Sequence, residues 1–212
     1  MTEGIKSDVD CTRSYRLGKR QAAIDESRSK MIEAARELIL SRQALAGFSI
    51  DAVAKQAGVA RMTVYNQFGG KRGLIEALFD DIGSRGNIFQ VIEISREDPL
   101  DELDTFIDAF GFFWHSERLI LKRLHAMNAL DEEMGKADRE RQSRRRRGLQ
   151  KIVGRLQEEK KFQSEFSFEQ AIEILQTLTS FETFDSLAGE NRTPVDVVPI
   201  VQKIARSVLS DI

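Results

Sequence analysis

The spacing of apolar residues most strongly constrains what this chain can fold into. From Arg28 towards the C-terminus, apolar side chains recur at steps of three and four residues, the spacing of one buried helix face. No stretch has the sustained alternation of a β-strand, and only 3 prolines interrupt the 212 residues. The pattern therefore predicts an all-α fold with long helices.

The composition is that of a globular protein, with 41% hydrophobic and 31% charged residues, and the length allows one large domain or two modest ones. Cys11 is the single cysteine, so no internal disulfide can form. No apolar run approaches the roughly 18 residues of a membrane span, and no segment near Met1 resembles a signal peptide. These features predict a cytoplasmic protein that does not use a membrane.

The near-neutral net charge of −2 conceals an asymmetry along the chain. Residues 1–73 hold 13 Lys and Arg against 8 Asp and Glu, whereas residues 74–212 hold 19 against 26. A basic segment ahead of an acidic one suggests two tasks, with a polyanion as the partner of the first. Ordinary variation of surface charge is the alternative.

The first 27 residues are predicted to be a basic flexible arm. Residues 1–27 lack apolar periodicity and carry four basic side chains between Arg13 and Arg20. Such a segment could contact the polyanion that the charge asymmetry suggests.

Residues 28–82 are predicted to form a compact domain around two short helices. A longer helix precedes them, and Gly58 suits the positive φ of the turn that joins them. This order is typical of a helix-turn-helix. The predicted helices run from Arg28 to Gly47, from Ile50 (with Ser49 as N-cap) to Ala57, from Arg61 to Phe68, and from Lys71 to about Ile82.

The second short helix has an unusual outward face. Val64 and Phe68 lie one turn apart and are predicted to face the core. A helix of this size fits the major groove of DNA. The other side chains of this helix lie around its exposed side and ends, and the Met and Tyr among them need a partner at a surface. These side chains are Arg61, Met62, Thr63, Tyr65, Asn66 and Gln67.

Two motifs span these helices: F-S-x-x-x-V-A-x-x-A-G-V over Phe48–Val59, and T-V-Y-x-x-F over Thr63–Phe68. Together with Lys71 at the start of the next helix, they resemble the N-terminal domain of tetracycline-repressor-type (TetR/AcrR) regulators. The chain departs from this pattern at Gly69-Gly70, where a small polar cap is common. The resemblance implies an all-α homodimer that binds operator DNA through its N-terminal domains and, usually, a small effector through its C-terminal domains.

The resemblance also implies roles for single residues. Arg61 suits bidentate contact with a guanine edge, worth ~1–3 kcal/mol of discrimination, although a phosphate contact or a solvent-facing charge is the alternative. Tyr65 and Lys71 are implied to hold the DNA backbone, and a partly buried core aromatic is the alternative for Tyr65. The implied DNA-binding residues are Ser49, Arg61, Met62, Thr63, Tyr65, Asn66 and Lys71.

Residues 83–212 are predicted to form a larger helical domain for effector binding and dimerisation. Asp98 and Thr193 each precede a proline, which combines an N-cap with proline at the first helical position. Ser167 and Gln170 have the spacing of a capping box. The predicted helices begin at Pro99, begin after a Ser116 cap, and cover Asp131–Lys160, Ser167–Leu187 and Pro194–Leu209.

This second domain is rich in aromatic residues, with 11 of the 13 phenylalanines and the single tryptophan after residue 73. They could enclose a cavity for a largely hydrophobic effector or simply form the core. The run Arg144–Arg147 points in four directions on a helix, so it is not a DNA-binding stripe, but Arg141 or Arg145 could turn inward. The candidate cavity residues are Phe106, Phe110, Phe113, Trp114, Met127, Arg145 and Phe181.

No motif suggests catalysis, a metal or a cofactor. His115 and His125 lack the i, i+4 spacing of a helical metal pair, and no nucleophile–base set is evident. We predict a repressor that binds a near-palindromic operator as a homodimer, pairs through its last two helices and is released by a small hydrophobic effector. The alternatives are a regulator without a ligand, an activator, or a helical protein-interaction module; a hydrolase or transferase is a distant third.

Overall fold

A computed structural model describes residues 6–41, 48–86, 88, 95–128 and 132–209. The regular elements in these ranges are helices, which confirms the predicted all-α class. The chain divides between Leu78 and Phe79 into two compact units. Within the described residues, no helix is both long and apolar enough to cross a membrane.

The described residues of the first unit form three helices and the start of a fourth. Its core is apolar, with Met31, Val53, Val64, Leu74 and Leu78 completely buried. Helix α1 packs against α2, and α2 packs against α3. The bounds are α1 over Lys6–Leu40, α2 over Ile50–Ala57, α3 over Arg61–Phe68, and α4 over Lys71–Arg85.

Helix α1 begins much earlier than the sequence pattern indicated. The prediction that the helix starts at Arg28 after a flexible arm over residues 1–27 is wrong for residues 6–27, which are helical. Residues 6–27 lack an apolar period in the sequence, and residues 19–23 are exposed, so periodicity could not reveal this part of the helix. Polar side chains one turn apart stabilise such a helix instead, as between Gln21 and Asp25, 2.9 Å, and between Glu26 and Lys30, 2.7 Å.

The second unit is a bundle whose longest helix contacts several others. Helix α5 packs against α7 and α10, and α8 packs against α7 and α10. Phe184 is the largest fully buried side chain among the described residues of this unit. The bounds are α5 over Pro99–Ser116, α6 over Arg118–Asn128, α7 over Glu132–Glu158, α8 over Phe168–Leu178, α9 over Phe181–Ala188, a 3-10 turn over Val195–Val197, and α10 over Val198–Leu209.

Two of the predicted caps in this unit are confirmed. The side chain of Asp98 accepts a hydrogen bond from the Leu100 N–H at 3.0 Å, ahead of Pro99 in the first turn of α5. Ser167 and Gln170 form the reciprocal bonds of a capping box at the start of α8. Ser116 does not cap α6, because its hydroxyl instead donates to the Phe113 carbonyl at the end of α5.

The predicted single helix over Ser167–Leu187 is wrong, because it breaks into α8 and α9. The Thr179 hydroxyl donates back to the Leu175 carbonyl at 2.8 Å, and Ser180 starts α9 by accepting from the Thr183 N–H at 3.2 Å. The Thr179 carbonyl accepts a hydrogen bond from the indole of Trp114 at 3.1 Å. A tertiary contact therefore accompanies a break that neither glycine nor proline marks. Likewise, the last α-helix begins at Val198 rather than Pro194, after the 3-10 turn.

Candidate nucleic-acid interface and ligand cavity

The turn between α2 and α3 has the geometry of a helix-turn-helix. Ser49 caps α2, its hydroxyl accepting a hydrogen bond from the Ala52 N–H at 3.2 Å. Gly58 ends α2 with φ of 66°, in the left-handed region that favours glycine. Ala54 is buried on α2. The predicted cap and turn are therefore confirmed.

Helix α3 is anchored through one face and displays the other. Val64 and Phe68 are buried, and the Arg28 guanidinium lies 4.7 Å from the centroid of the Phe68 ring. Met62 is 63% exposed, an unusual setting for a large apolar side chain. Of the other predicted contact residues on α3, Arg61 and Asn66 are exposed, and Thr63 and Tyr65 are half-buried.

Two neighbours hold the side chain of Arg61. Its Nε lies 3.2 Å from Oδ1 of Asp51, and its Nη2 donates to the Tyr65 hydroxyl at 3.3 Å. The hydrogen bond to Tyr65, followed by the charge of Asp51, raises the pKa of Arg61, which stays charged. The sequence analysis did not single out Asp51, because it lies ten residues before Arg61 and meets it only through the packing of α2 and α3.

The turn from α3 into α4 is unusually tight. Gly69 and Gly70 have positive φ, at 72° and 143°. A Cβ at Gly73 would lie 1.9 Å from the Phe68 carbonyl oxygen, so only glycine fits there. This close approach positions Lys71, whose Nζ lies 5.8 Å from the centroid of the Phe48 ring. The sequence motif identified Lys71 and gave no sign of the role of Gly73.

The second unit contains a cavity that is partly open to solvent. Five of the seven predicted cavity residues line it, whereas Phe106 and Met127 are buried in the core and are not among its lining residues. The five that the structure brings together are Phe110, Phe113, Trp114, Arg145 and Phe181.

Trp114 lies at the centre of the aromatic wall. Its ring centroid is 5.4 Å from that of Phe110, 4.8 Å from that of Phe113 and 5.8 Å from that of Phe181, with interplanar angles of 41°, 52° and 71°. These tilted and edge-to-face arrangements are the favourable ones for aromatic pairs. The hydrogen bond to Thr179 fixes the orientation of the indole. The wall is therefore rigid and presents both ring faces and ring edges.

Arg145 brings a buried cation to this wall. Only 9% of the residue is exposed, its Nη2 donates to the Gln176 carbonyl at 3.2 Å, and its Cζ lies 5.9 Å from the ring centroids of both Phe110 and Trp114. The rest of the arginine run diverges, as helical geometry requires. Arg144 pairs with Asp80, Arg146 pairs with Glu169, and Arg147 is exposed. The side chain of Arg141, the other predicted inward candidate, lies outside the described residues.

Further lining residues come from helices that the sequence analysis did not connect with the cavity. Phe79 and Gly83 belong to α4, most of which lies in the predicted domain of residues 28–82. His125 of α6 stacks on Phe181 at 5.0 Å, and its Nε2 lies 3.3 Å from Oε1 of Glu182. Apolar periodicity assigns such residues to a buried face without distinguishing a core contact from a cavity wall. Across the part of the chain that the structure describes, no group of His, Cys, Asp and Glu side chains could hold a metal ion.

Comparison with known proteins agrees with this architecture. Residues 31–78 match the model of the family described as bacterial regulatory proteins, tetR family. This match confirms the resemblance that the motifs of the first unit carry. Among curated protein sequences, none is significantly similar to this chain.

Solved structures extend the likeness to the second unit. A protein from Syntrophomonas wolfei assigned to the TetR family aligns with a TM-score of 0.72 at 12% identity, covering 87% of this chain and 95% of that one. The transcriptional regulator FadR from Bacillus subtilis, in complex with stearoyl-CoA, aligns at 0.68 and 18%, covering 87% and 98%. A TetR transcription regulator from Haloarcula marismortui aligns at 0.65 and 15%, covering 87% and 97%. The chain therefore has the fold of TetR-type transcriptional regulators.

Proposed function

We propose that this chain, with its tetR-type N-terminal segment and TetR-type fold, is a transcriptional regulator that binds specific DNA sequences through α3. The observation that carries the proposal is the outward face of α3. Arg61, Met62 and Asn66 are exposed on a short helix that Val64 and Phe68 anchor from behind. A guanidinium, an apolar side chain and an amide are the kinds of group that contact base edges in the major groove.

Selection of genomic fragments by the purified protein, followed by footprinting, tests this proposal. We expect protected sites that share one near-palindromic sequence, because a two-fold dimer presents two copies of α3 to successive major grooves. A helical protein-interaction module with a basic surface would instead bind DNA without sequence preference and lose that binding steeply with salt. Absence of a shared sequence among the retained fragments would contradict the proposal.

The proposed homodimer pairs through the last helices of the second unit. Ile200 and Ile204 of α10 lie one turn apart and are 38% and 39% exposed. Apolar residues repeated at this spacing on an outer helix face suit an isologous interface. We expect Ile204→Lys to shift the sedimenting species from dimer to monomer, whereas Lys203→Ala beside it leaves the dimer intact. A monomeric wild-type protein at micromolar concentration would contradict this part of the proposal.

The cavity of the second unit supports control by a small, largely hydrophobic effector. A ligand shifts a two-state equilibrium only by its difference in affinity for the two states. In a repressor of this kind, the effector binds better to the conformation in which the two copies of α3 are wrongly spaced for the operator. Operator binding measured with and without a cavity ligand tests this step, and an activator would respond with the opposite sign.

A further inference from the structure

We propose that the effector cavity selects small aromatic monocarboxylates, with the ring between the aromatic walls and the carboxylate against Arg145. The proposal rests on the proposed function of the cavity as the effector site, and it names the chemical class of the ligand. Three observations carry it: the aromatic wall, the buried cation and the acid beside them.

The aromatic wall favours a flat ring over an aliphatic chain. Around Trp114 the neighbouring rings are tilted by 41° to 71°, so the wall presents faces and edges in alternation. A flat aromatic ligand can pack its edge against the face of one wall ring and its face against the edge of another. An aliphatic group of the same size gains only the burial of apolar surface. Phe79 adds a further aromatic side chain to the lining.

Arg145 supplies the recognition element for the carboxylate. Its guanidinium lies on the cavity wall, is shielded from solvent, and is oriented by the Gln176 carbonyl and by the rings of Phe110 and Trp114. A guanidinium presents a planar fork of donors that matches a carboxylate in two parallel hydrogen bonds. Because Arg145 is largely shielded from solvent, such a charge-assisted pair is stronger here than at a surface.

The other charged residues of the lining limit the ligand to one negative charge. Arg144 pairs with Asp80 at 3.2 Å, so its charge is already matched. Glu182 also lines the cavity, where it lies beside His125. A second carboxylate on the ligand would meet the negative charge of Glu182, and a diacid is therefore disfavoured.

A benzene ring with one carboxylate is the smallest ligand that offers both a flat ring to the aromatic wall and a negative charge to Arg145. Benzoate is therefore the simplest probe of the class.

Trp114 allows direct measurement of binding. It is the single tryptophan of the chain and lines the cavity, so its fluorescence reports occupancy without DNA. We expect benzoate to quench or shift this fluorescence saturably, with N-acetyltryptophanamide as the control for collisional quenching. The proposal is overturned if neither benzoate nor its monohydroxy derivatives bind saturably up to 10 mM. A dissociation constant at this limit corresponds to ~3 kcal/mol of binding free energy.

Matched ligands separate the contributions of charge and ring. Benzamide has the shape of benzoate without its charge, and we expect it to bind at least about tenfold more weakly. Cyclohexanecarboxylate keeps the charge and the approximate size but not the flat ring, and terephthalate adds a second carboxylate. Weaker binding of each than of benzoate supports the proposal. Equal or tighter binding of benzamide, cyclohexanecarboxylate or octanoate would overturn it.

Substitution of Arg145 tests the site itself. Arg145→Met keeps the apolar stem and removes the charge, and we expect affinity for benzoate to fall by about ten- to a hundredfold while affinity for benzamide changes little. Arg147→Met is the matched control, because Arg147 is exposed on the same helix and does not line the cavity. If Arg145→Met does not fold, the series of ligands on the wild-type protein still decides. Equal losses in both variants would overturn the assignment.

The fluorescence assay keeps this proposal distinct from the proposed function. Benzoate binding without any sequence-specific DNA binding would support the ligand class and contradict the regulator. Sequence-specific DNA binding with no response of Trp114 to aromatic carboxylates would support the regulator and contradict the ligand class.

Discussion

Replacing Gly73 with alanine should dismantle the junction between α3 and α4. An added Cβ would lie 1.9 Å from the Phe68 carbonyl oxygen and 3.0 Å from the Phe68 carbonyl carbon, where real contacts below 3.0 Å are essentially never seen. These are backbone atoms, so no side chain can rotate away. The first turn of α4 must separate from the end of α3 by about 1 Å, which displaces Lys71 as well.

The expected cost of Gly73→Ala is about 1–3 kcal/mol in the free energy of unfolding of the first unit, as for other overpacked positions. For a domain of 60–100 residues, each kcal/mol lowers the melting temperature by roughly 4–8 °C. Circular dichroism follows the helices of both units, whereas Trp114 fluorescence reports on the second unit, which contains it. The circular dichroism transition should therefore begin earlier than the fluorescence transition, and DNA affinity should fall.

Gly154→Ala is the matched control for the added methyl group. Gly154 lies within α7, and a Cβ there meets nothing within 4 Å. Alanine is a better helix former, so we expect this variant to be more stable by up to ~1 kcal/mol. A Gly73→Ala variant with unchanged melting and unchanged DNA affinity would refute the close approach of α3 and α4.

Three further predictions concern charge. Asp51→Asn releases Arg61 from a solvent-exposed ion pair, so DNA affinity should rise modestly in a titration at fixed salt; weaker binding would mean that Asp51 orients Arg61 for DNA. Deletion of residues 1–20 should weaken DNA binding and flatten its dependence on salt, and an unchanged slope would remove this part of α1 from the interface. Burial, followed by the charge of Asp104, raises the pKa of Asp108. The ionised form of Asp108 is therefore less favourable in the folded protein than in the unfolded chain. The free energy of unfolding should decrease as the pH rises from about 3.9 through the folded pKa. Asp108→Asn should reduce that decline in denaturant titrations at pH 4 and pH 7, and an unaltered pH dependence would contradict it.

Local sequence signals predicted the first unit well. The Ser49 cap, the Gly58 turn and the buried pair Val64 and Phe68 each depend on residues within one helix or one turn of each other. Interactions of such short range can be predicted from the sequence. The start of α1 could not be predicted in this way, because residues 6–27 show no periodic apolar pattern in the sequence.

Contacts between distant residues account for what the sequence could not predict. The break between α8 and α9 accompanies the bond from Trp114 to Thr179, 65 residues away. The pairing of Asp51 with Arg61 and the need for glycine at position 73 likewise depend on how helices pack. For the cavity, the aromatic residues of α5 were identifiable by composition, whereas the contribution of α4 and α6 required the tertiary structure.

Arg61→Ala tests most directly the central claim that α3 reads DNA sequence. The measurement is selection of bound sequences from a random duplex library by the wild-type protein, by Arg61→Ala and by Arg147→Ala as a control for charge. We expect the wild type and Arg147→Ala to select one near-palindromic sequence. Arg61→Ala should lose its preference at one base pair in each half-site, which corresponds to ~1–3 kcal/mol of discrimination at that base pair. Selection of the same sequence with the same preference by all three proteins, or of no sequence by the wild type, would contradict the claim.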